Sequence, residues 1–401
     1  MRRMLTPVAL LLPLVVASHA AAVCGDPGFA TPVAAGFDIA PYADVTDPLT
    51  LSFDADGNLF TGRDAQGSGG GAADPVRIHR IAAGGASVTE YGAEAIVDPD
   101  VVLVDQTGAW AGMPGAVLVG SSIGSEGHVF AILPDETIVT IFGPTRDFLN
   151  PNDMEFDREG RLLFTDFTSG FPNPPQVLVS AAGEPPTQLV THATNPGNIT
   201  FDLDNNLYMA TMEGVIRVFD RNGVPLSDDF AGPLGATTRI RFGPGGVWSE
   251  DLIAIDTASP TRELLRIDED GARTILGTNF FAVTDMTFGT DGALYLSRFQ
   301  EDCVWRVAPT GTPPPGPTGD PIAGKKLLLK WRADKDTKRG LMVLGKDAAI
   351  SLGAGNGSDD DPVRTGATLR VVTDAGDEFD RTYVLPRTGW RYLKKEGANK
   401  G

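Results

Sequence analysis

A short motif returns six times along this chain of 401 residues, and it restricts the fold more than any other feature. Each copy is anchored here on its last apolar residue before a turn, and the anchors are Phe53, Val104, Phe156, Phe201, Phe242 and Phe288. The gaps between anchors are 51, 52, 45, 41 and 46 residues. Short strands repeated at this period predict an all-β fold, a six-bladed β-propeller with one blade per copy.

Each copy has the pattern of an antiparallel blade. Four residues after every anchor the chain has Gly or Asn, which predicts a tight hairpin with positive φ at that position. Apolar residues alternate with others on both sides of the turn, as in Leu51 and Phe53, so two paired strands are expected per copy. A third strand follows in most copies, and a weaker fourth strand completes the blade.

The last copy has no room for a fourth strand before Pro309. The segment from Gly36 to Tyr42, ahead of the first blade, can supply that strand and close the ring, which removes two open sheet edges. Cys24 precedes this segment and Cys303 opens the last strand of the sixth blade. The sequence therefore favours a disulfide that ties the two ends of the ring, over the alternative of two free thiols.

The N-terminus predicts export from the cell. Residues 1–22 have a basic start, a short apolar run and a small-residue site at Ala20–Ala22, as in a secretory signal peptide. Lipidation at Cys24 is a weaker alternative, because Val23 stands where that signal needs a small residue. We expect a secreted, periplasmic or cell-surface protein, an oxidising location in which a disulfide persists. No later segment is apolar over the roughly 20 residues of a membrane span.

The charge divides the chain into two parts. From Pro321 onwards there are 16 Lys and Arg against 11 Asp and Glu, which leaves 17 against 41 before that residue. An acidic propeller disfavours nucleic acid and anionic membranes as partners, and it suits cations, cationic partners or simple solubility. A small molecule or an extracellular protein remains as the expected partner.

A Pro- and Gly-rich linker over 309–320 separates the predicted propeller, residues 23–308, from a small β domain over 321–401. Short strands are expected near 325–330, 340–344, 367–372 and 381–386, with another at 389–392. The runs GKKLLLK, DTKRGLMVLGKD and GWRYLKKEGANKG in this part resemble a tail module of otherwise unrelated secreted bacterial proteins. Such modules usually continue further, so this one is expected to be a fragment.

Candidate site residues form a ring in this fold. The innermost strand of each blade starts at one mouth of the central channel, so the residues three before the anchors surround that mouth. They are Thr50, Val101, Asp153, Asn198, Arg239 and Asp285. Asp153, Asn198 and Asp285 supply hard oxygen ligands and predict a Ca²⁺ site. Arg239 could instead neutralise the acids or bind a ligand carboxylate, with Asn152 beside it as a second ligand-binding residue.

Other chemistry is sparse in the sequence. Of the four histidines, His192 lies in a loop towards the channel mouth and is the one weak candidate for a general base, whereas His79 and His128 lie on third strands and suggest packing. The runs from Asp54 to Asn58 and from Asp268 to Gly271 look like calcium loops, but they coincide with hairpin turns and lack a distal Glu. Turn chemistry is the favoured interpretation of both.

The motif F-D-x-x-G-N-L-Y, preceded by N-P-x-x and an apolar residue, resembles the six-bladed propellers of the NHL and gluconolactonase-like (TolB-like) group over Asp47 to Val307. Lactonases of that group hold a divalent metal at the channel mouth through a Glu, an Asn and an Asp. Their Asn maps onto Asn152, but Asp153 replaces the Gly that follows, and their Asp maps onto Gly197, which precedes Asn198. No equivalent of the Glu motif is found near the first blade.

Two functions are therefore compatible with the sequence. The first is a secreted bacterial propeller that acts as a non-catalytic binding or scaffold protein. The alternative is a Ca²⁺-dependent hydrolase of lactones or related esters, in which Asn152, Asp153, Asn198 and Asp285 serve as ligands.

Overall fold

The computed structural model describes Cys24 and residues 31–32, 36–63, 74–85, 87–166, 174–191, 194–236 and 238–310, together with four short strands after residue 320. Six antiparallel sheets are arranged as the blades of a propeller, which confirms the predicted all-β fold. The innermost strands of consecutive blades are neighbours all the way round, and the innermost strand of the sixth blade contacts that of the first. The ring is therefore closed.

Two N-terminal strands precede the first complete blade: β1 is Thr31–Pro32 and β2 is Phe37–Asp44. The first blade has β3 to β6, which are Pro48–Phe53, Leu59–Arg63, Pro75–Ile81 and Val88–Val97. The second has β7 to β10, which are Val101–Asp105, Ala116–Ile123, Glu126–Ile132 and Ile138–Thr145. The third has β11 to β14, which are Pro151–Phe156, Leu162–Asp166, Gln176–Ser180 and Thr187–Thr191.

The fourth blade has β15 to β18, which are Pro196–Phe201, Leu207–Thr211, Ile216–Phe219 and Pro225–Ala231. The fifth has β19 to β22, which are Arg239–Phe242, Leu252–Asp256, Glu263–Ile267 and Arg273–Thr278. The sixth has β23 to β25, which are Val283–Phe288, Leu294–Arg298 and Cys303–Pro309. Short 3₁₀ helices occur at Ala83–Gly85, Gly246–Trp248 and Phe299–Glu301.

The ring is closed as the sequence predicts. Strand β2 pairs antiparallel with β25 and becomes the outermost strand of the sixth blade. Cys24 and Cys303 form the predicted disulfide, which spans 279 residues of chain. Strand β1 adds a feature that the sequence does not predict, because it pairs with β22 as a fifth strand of the fifth blade. The N-terminal segment thus contacts two blades.

The turn after each anchor has the predicted backbone conformation. Gly57, Gly108, Gly160, Asn205, Gly246 and Gly292 all have positive φ, between 64° and 83°. The first, third, fourth and sixth copies form tight hairpins. The expectation of tight hairpins in the second and fifth copies is wrong, because longer loops over 106–115 and 243–251 separate their first two strands. Each of these loops carries a buried Trp, either Trp110 or Trp248.

An aspartate directly after the end of a strand fixes several of the tight turns. In the first blade, Asp54 Oδ1 accepts hydrogen bonds from the backbone N–H groups of Asp56 and Asn58. Asp268 forms the same pair of bonds with Asp270 and Ala272 in a later hairpin. These aspartates satisfy the turn backbone, which confirms turn chemistry at both calcium-like runs.

The hydrophobic core lies between the blades rather than at the channel. Each of six buried clusters combines side chains of two neighbouring blades. One cluster, for example, packs Phe60 and Ile78 of the first blade against Val102 and Val117 of the second. Since burial of such side chains stabilises by roughly 1.5–3 kcal/mol each, the blades hold one another, and the channel lining is left to polar residues.

Four strands of the tail lie where short strands were expected: Gly324–Lys330, Gly340–Gly345, Ala367–Val372 and Asp380–Leu385. They form two separate two-stranded antiparallel sheets. The expected strand at 389–392 lies outside the described residues. Within the described part of the chain, no helix has the length and apolar character needed to cross a membrane.

Candidate functional site

A cavity of about 230 Å³ lies at the start of the innermost strands, and every blade contributes to its lining. Five of the six ring positions line it, and Val101 is the exception. Besides the ring residues, Leu49, Asp100, Asn152 and Thr284 complete the lining, which is therefore almost entirely polar. The structure thus brings Asn152, Asp153, Asn198, Arg239 and Asp285 together at one channel mouth.

Four of the ring side chains form the same hydrogen bond between neighbouring blades. In each case, the side chain three residues before an anchor accepts the backbone N–H two residues before the next anchor. Thr50 Oγ1 accepts from Val102 at 2.8 Å, and Asp153 Oδ2 accepts from Ile199 at 2.7 Å. We call this contact an interblade latch, and its other two members are Asn198 Oδ1 with Ile240 at 2.6 Å and Asp285 Oδ2 with Leu51 at 2.8 Å.

The two interfaces without an interblade latch are those after the second and fifth blades, where Val101 and Arg239 occupy the ring position. Both interfaces have a different polar contact at the opposite end of the channel. Trp110 Nε1 donates to the carbonyl of Gly160, and Trp248 Nε1 donates to that of Gly292, in each case the turn of the next blade. The order of latch and tryptophan interfaces therefore repeats every three blades. The two equivalent ring positions without a latch differ in residue type, because one has the apolar Val101 and the other the charged Arg239.

A residue outside the predicted ring lies at the centre of the site. Arg241 Nη2 is 3.5 Å from Asp153 Oδ1 and 3.7 Å from Asp285 Oδ1. The same atom lies 3.6 Å from Glu155 Oε2, and Nη1 donates to the carbonyl of Ile199 at 2.6 Å. Arg241 of the fifth blade therefore joins the third, fourth and sixth blades across the channel.

Burial shifts the pKa values of this cluster. Burial, with Asp153 and Asp285 nearby, raises the pKa of Glu155 to about 7 even though Arg241 opposes the shift. Burial likewise raises the pKa of Asp285, again against the opposing charge of Arg241. Burial lowers the pKa of Arg239, and Asp285 and Asp153 partly offset this effect. The cluster thus contains three carboxyl groups, those of Asp153, Glu155 and Asp285, but only two guanidinium groups, those of Arg239 and Arg241.

Most oxygen atoms of the predicted Ca²⁺ ligands already accept hydrogen bonds, but the buried Oδ1 of Asp285 accepts none. Asp153 Oδ2 accepts from Asn198 Nδ2 as well as from Ile199, and the Oδ1 atoms of Asp153 and Asp285 both face Arg241. This donor set therefore fits a guanidinium better than a divalent cation. Across the described residues, no group of three or more His, Cys, Asp or Glu side chains has the geometry to hold a metal ion.

Two predicted ligand-binding residues keep free polar atoms. In the described parts of the chain, neither Asn152 nor Arg239 has a side-chain hydrogen bond or ion pair, and the Nε atom of Arg239 is buried without a partner. His192, the weak candidate for a general base, lies outside the described residues. His79 and His128 are buried on their strands, and His128 stacks on Phe130 at 5.4 Å, as expected for packing residues.

Comparison with solved structures identifies relatives of the fold. A gluconolactonase from Xanthomonas campestris is 16% identical and has a TM-score of 0.55, over 72% of this chain and 97% of its own. The PQQ domain of pyranose dehydrogenase from Coprinopsis cinerea is 13% identical and has a TM-score of 0.50, over 70% and 98%. No family model and no curated protein matches the sequence. At these identities the likeness shows the fold alone.

Proposed function

We propose that this protein is an extracellular binding propeller that holds a small polar molecule at the channel mouth. The observation that carries the proposal is the contrast between two sets of polar side chains around one cavity. Asp153, Asn198 and Asp285 are committed to interblade latches, whereas the side chains of Asn152 and Arg239 line the same cavity without a hydrogen bond or a close ion pair to the described residues. Buried polar atoms usually find partners, so the buried Nε of Arg239 without one, beside the half-buried Asn152, marks a place for a ligand.

The size and the lining of the cavity indicate the kind of ligand. A volume of about 230 Å³ admits a molecule with the size of a monosaccharide or an amino acid. Leu49 is the one apolar lining residue, so hydrogen bonds rather than apolar contacts would supply the affinity. The predicted signal peptide and the Cys24–Cys303 disulfide support a location outside the cytoplasm.

The alternative function, a Ca²⁺-dependent hydrolase of lactones or related esters, stays a prediction. The gluconolactonase structure shares the fold, and a calcium site would have to form beside the cation of Arg241. Coulomb repulsion between a divalent cation and a guanidinium in a partly buried site opposes that arrangement. The binding function does not meet this difficulty, because it leaves the Arg241 cluster unchanged.

Thermal unfolding of the purified full chain tests the proposal. The probes are glucose, inositol, glycine, lactate and acetate, and separate samples contain CaCl₂ or EDTA. A probe that binds the folded state raises the unfolding midpoint as its concentration increases. We expect at least one organic probe to do so, and Asn152→Ala to remove the effect. Arg221→Gln, which changes an exposed arginine, is the matched control.

Two results would overturn the proposal. One is the absence of any shift with all five organic probes. The other is a rise with CaCl₂ that disappears in Asp285→Asn, together with hydrolysis of a lactone panel, which would establish the hydrolase.

A further inference from the structure

The interface between the fifth and sixth blades presents two hydrogen-bond donors, whereas four of the other five interfaces pair a donor with an acceptor in an interblade latch. The first donor is the backbone N–H of Met286, which lies two residues before the anchor Phe288. The equivalent N–H groups are those of Leu51, Val102, Ile199 and Ile240, and all four donate to interblade latches.

The strand register fixes the direction of the Met286 N–H. Gly289 N donates to the carbonyl of Ala293, so the pair of Gly289 with Ala293 is a hydrogen-bonded one. Pairs alternate along an antiparallel ladder, and Met286 opposite Leu296 is therefore a non-hydrogen-bonded pair. Its N–H therefore points away from β24, although Met286 is itself fully buried and does not line the cavity. Leu51 opposite Thr61 has the same place in its blade, and its N–H does reach a latch.

The second donor is Arg239. It occupies the ring position of the fifth blade, from which Asp153 and Asn198 reach the equivalent N–H groups of the blades that follow them. A guanidinium has five N–H donors and no acceptor, so Arg239 cannot form an interblade latch with Met286. Arg239 lines the cavity together with Thr284 and Asp285 of the sixth blade, so it lies beside the strand that carries Met286.

We propose that a small ligand binds through its carboxylate to the guanidinium of Arg239, which lines the cavity and has a buried Nε without a hydrogen bond. This inference rests on the proposed function and names the ligand class for the same cavity. An anionic oxygen supplies the acceptor that this interface lacks, and a carboxylate can form two parallel hydrogen bonds with a guanidinium. Val101, at the equivalent place after the second blade, supplies no charge for such a contact.

The surroundings favour a singly charged ligand over a dianion. Asp153 and Asp285 line the same cavity, and their negative charge disfavours a phosphate or sulfate group. Asn152 presents a side-chain amide to the rest of the space, whereas the amide of Asn198 and the hydroxyl of Thr284 already form hydrogen bonds within the protein. A hydroxy acid or a similar small carboxylate with polar substituents matches this lining.

Arg239→Asn is the decisive variant, because Asn198 already forms an interblade latch from the same ring position. The variant exchanges a donor for an acceptor that Met286 N–H can use. We expect it to raise the unfolding midpoint in the absence of ligand and to weaken lactate and acetate binding by roughly 10- to 100-fold. Arg239→Lys keeps the charge and should retain part of the affinity. Val101→Thr, which copies the residue type of the latch at Thr50, should leave lactate binding unchanged.

Titrations of the full chain with sodium lactate, sodium acetate, acetamide and sodium phosphate at constant ionic strength measure the effect by calorimetry and by thermal unfolding. Lactate or acetate should bind, and acetamide and phosphate should bind at least about tenfold more weakly. Equal binding of lactate by the wild type and by Arg239→Asn would overturn the inference. If glucose or inositol stabilises the protein and none of lactate, acetate and glycine does, the inference fails while the proposed binding function stands. No binding of any probe would refute both.

Discussion

The backbone N–H of Leu51 donates to Oδ2 of Asp285 at 2.8 Å, and this hydrogen bond joins the first blade to the sixth. Asp285→Ala removes the acceptor and leaves a buried N–H unpaired, which costs about 1–3 kcal/mol. Asp285→Asn keeps an acceptor in the form that Asn198 uses, and we expect it to lose less than half as much. Urea unfolding of both variants measures the difference. Equal losses would show that the negative charge of Asp285 matters and the latch does not.

Trp248 forms a polar contact between the fifth and sixth blades, at the end of the channel opposite to the missing latch. Its Nε1 donates to the carbonyl of Gly292 at 2.9 Å, and its ring packs on Phe37 and Phe288. Trp248→Phe keeps most of the packing and removes the donor, so we expect a loss of about 1–3 kcal/mol in urea unfolding. The same substitution at Trp110, whose hydrogen bond is 3.3 Å long, should cost less. The reverse order would contradict this account.

The side chain of Arg241 contacts residues of three other blades at the channel mouth. Its side chain is 11% exposed, and those of Asp153 and Asp285 are 4% and 2% exposed. Arg241→Met leaves buried carboxylates without their counter-charge, for which a loss on the order of 3–5 kcal/mol is expected. Arg221→Met breaks an exposed pair with Glu159 and should cost about 0–1 kcal/mol. Chemical denaturation compares the two, and similar losses would exclude a central role for Arg241.

The strand pattern carried enough information to predict the ring and its mouth. The period of the repeat fixes the number of blades, and the two-residue alternation of a strand places Thr50, Asp153, Asn198 and Asp285 at equivalent positions. Their use as latches follows from the direction of the N–H groups in the next blade, which depends on how blades stack and not on any single strand. At least one side-chain oxygen of each residue predicted as a metal ligand accepts a latch hydrogen bond, and Ca²⁺ binding itself stays a prediction.

Arg241 and Glu155 were missed for a related reason. Both lie one residue before an anchor, and they share the strand face of the ring residues, so the alternation could have marked them. What the sequence does not show is that a long side chain from the fifth blade reaches carboxylates of the third and sixth. The prediction of tight hairpins at Trp110 and Trp248 was wrong because both loops have Gly at the expected turn position. The additional residues that follow each Gly place a tryptophan in the core, and a strand pattern does not reveal this packing.

The Cys24–Cys303 disulfide should contribute strongly to stability, because it closes a loop with a sequence separation of 279 residues. The loop-closure argument gives roughly 4–5 kcal/mol as an upper limit. The double variant Cys24→Ser with Cys303→Ser should unfold at lower urea concentration, and dithiothreitol should reproduce the effect in the wild type only. Strand β2 remains paired with β25 through backbone bonds, so we expect the variant to fold. Identical midpoints with and without reductant would contradict the prediction.

Glu155 makes the stability of the folded state depend on pH. Burial raises its pKa from 4.5 to about 7, so between these values the folded protein binds more protons than the unfolded chain. The free energy of unfolding therefore decreases as the pH rises through this window, and the raised pKa of Asp285 acts in the same direction. Glu155→Gln removes one of the two contributions and should flatten the decrease. Exposed Glu269→Gln changes the net charge equally and serves as the control, with urea unfolding measured across the window. If the Glu155→Gln variant kept the full slope, the carboxyl of Glu155 would not be the group that titrates.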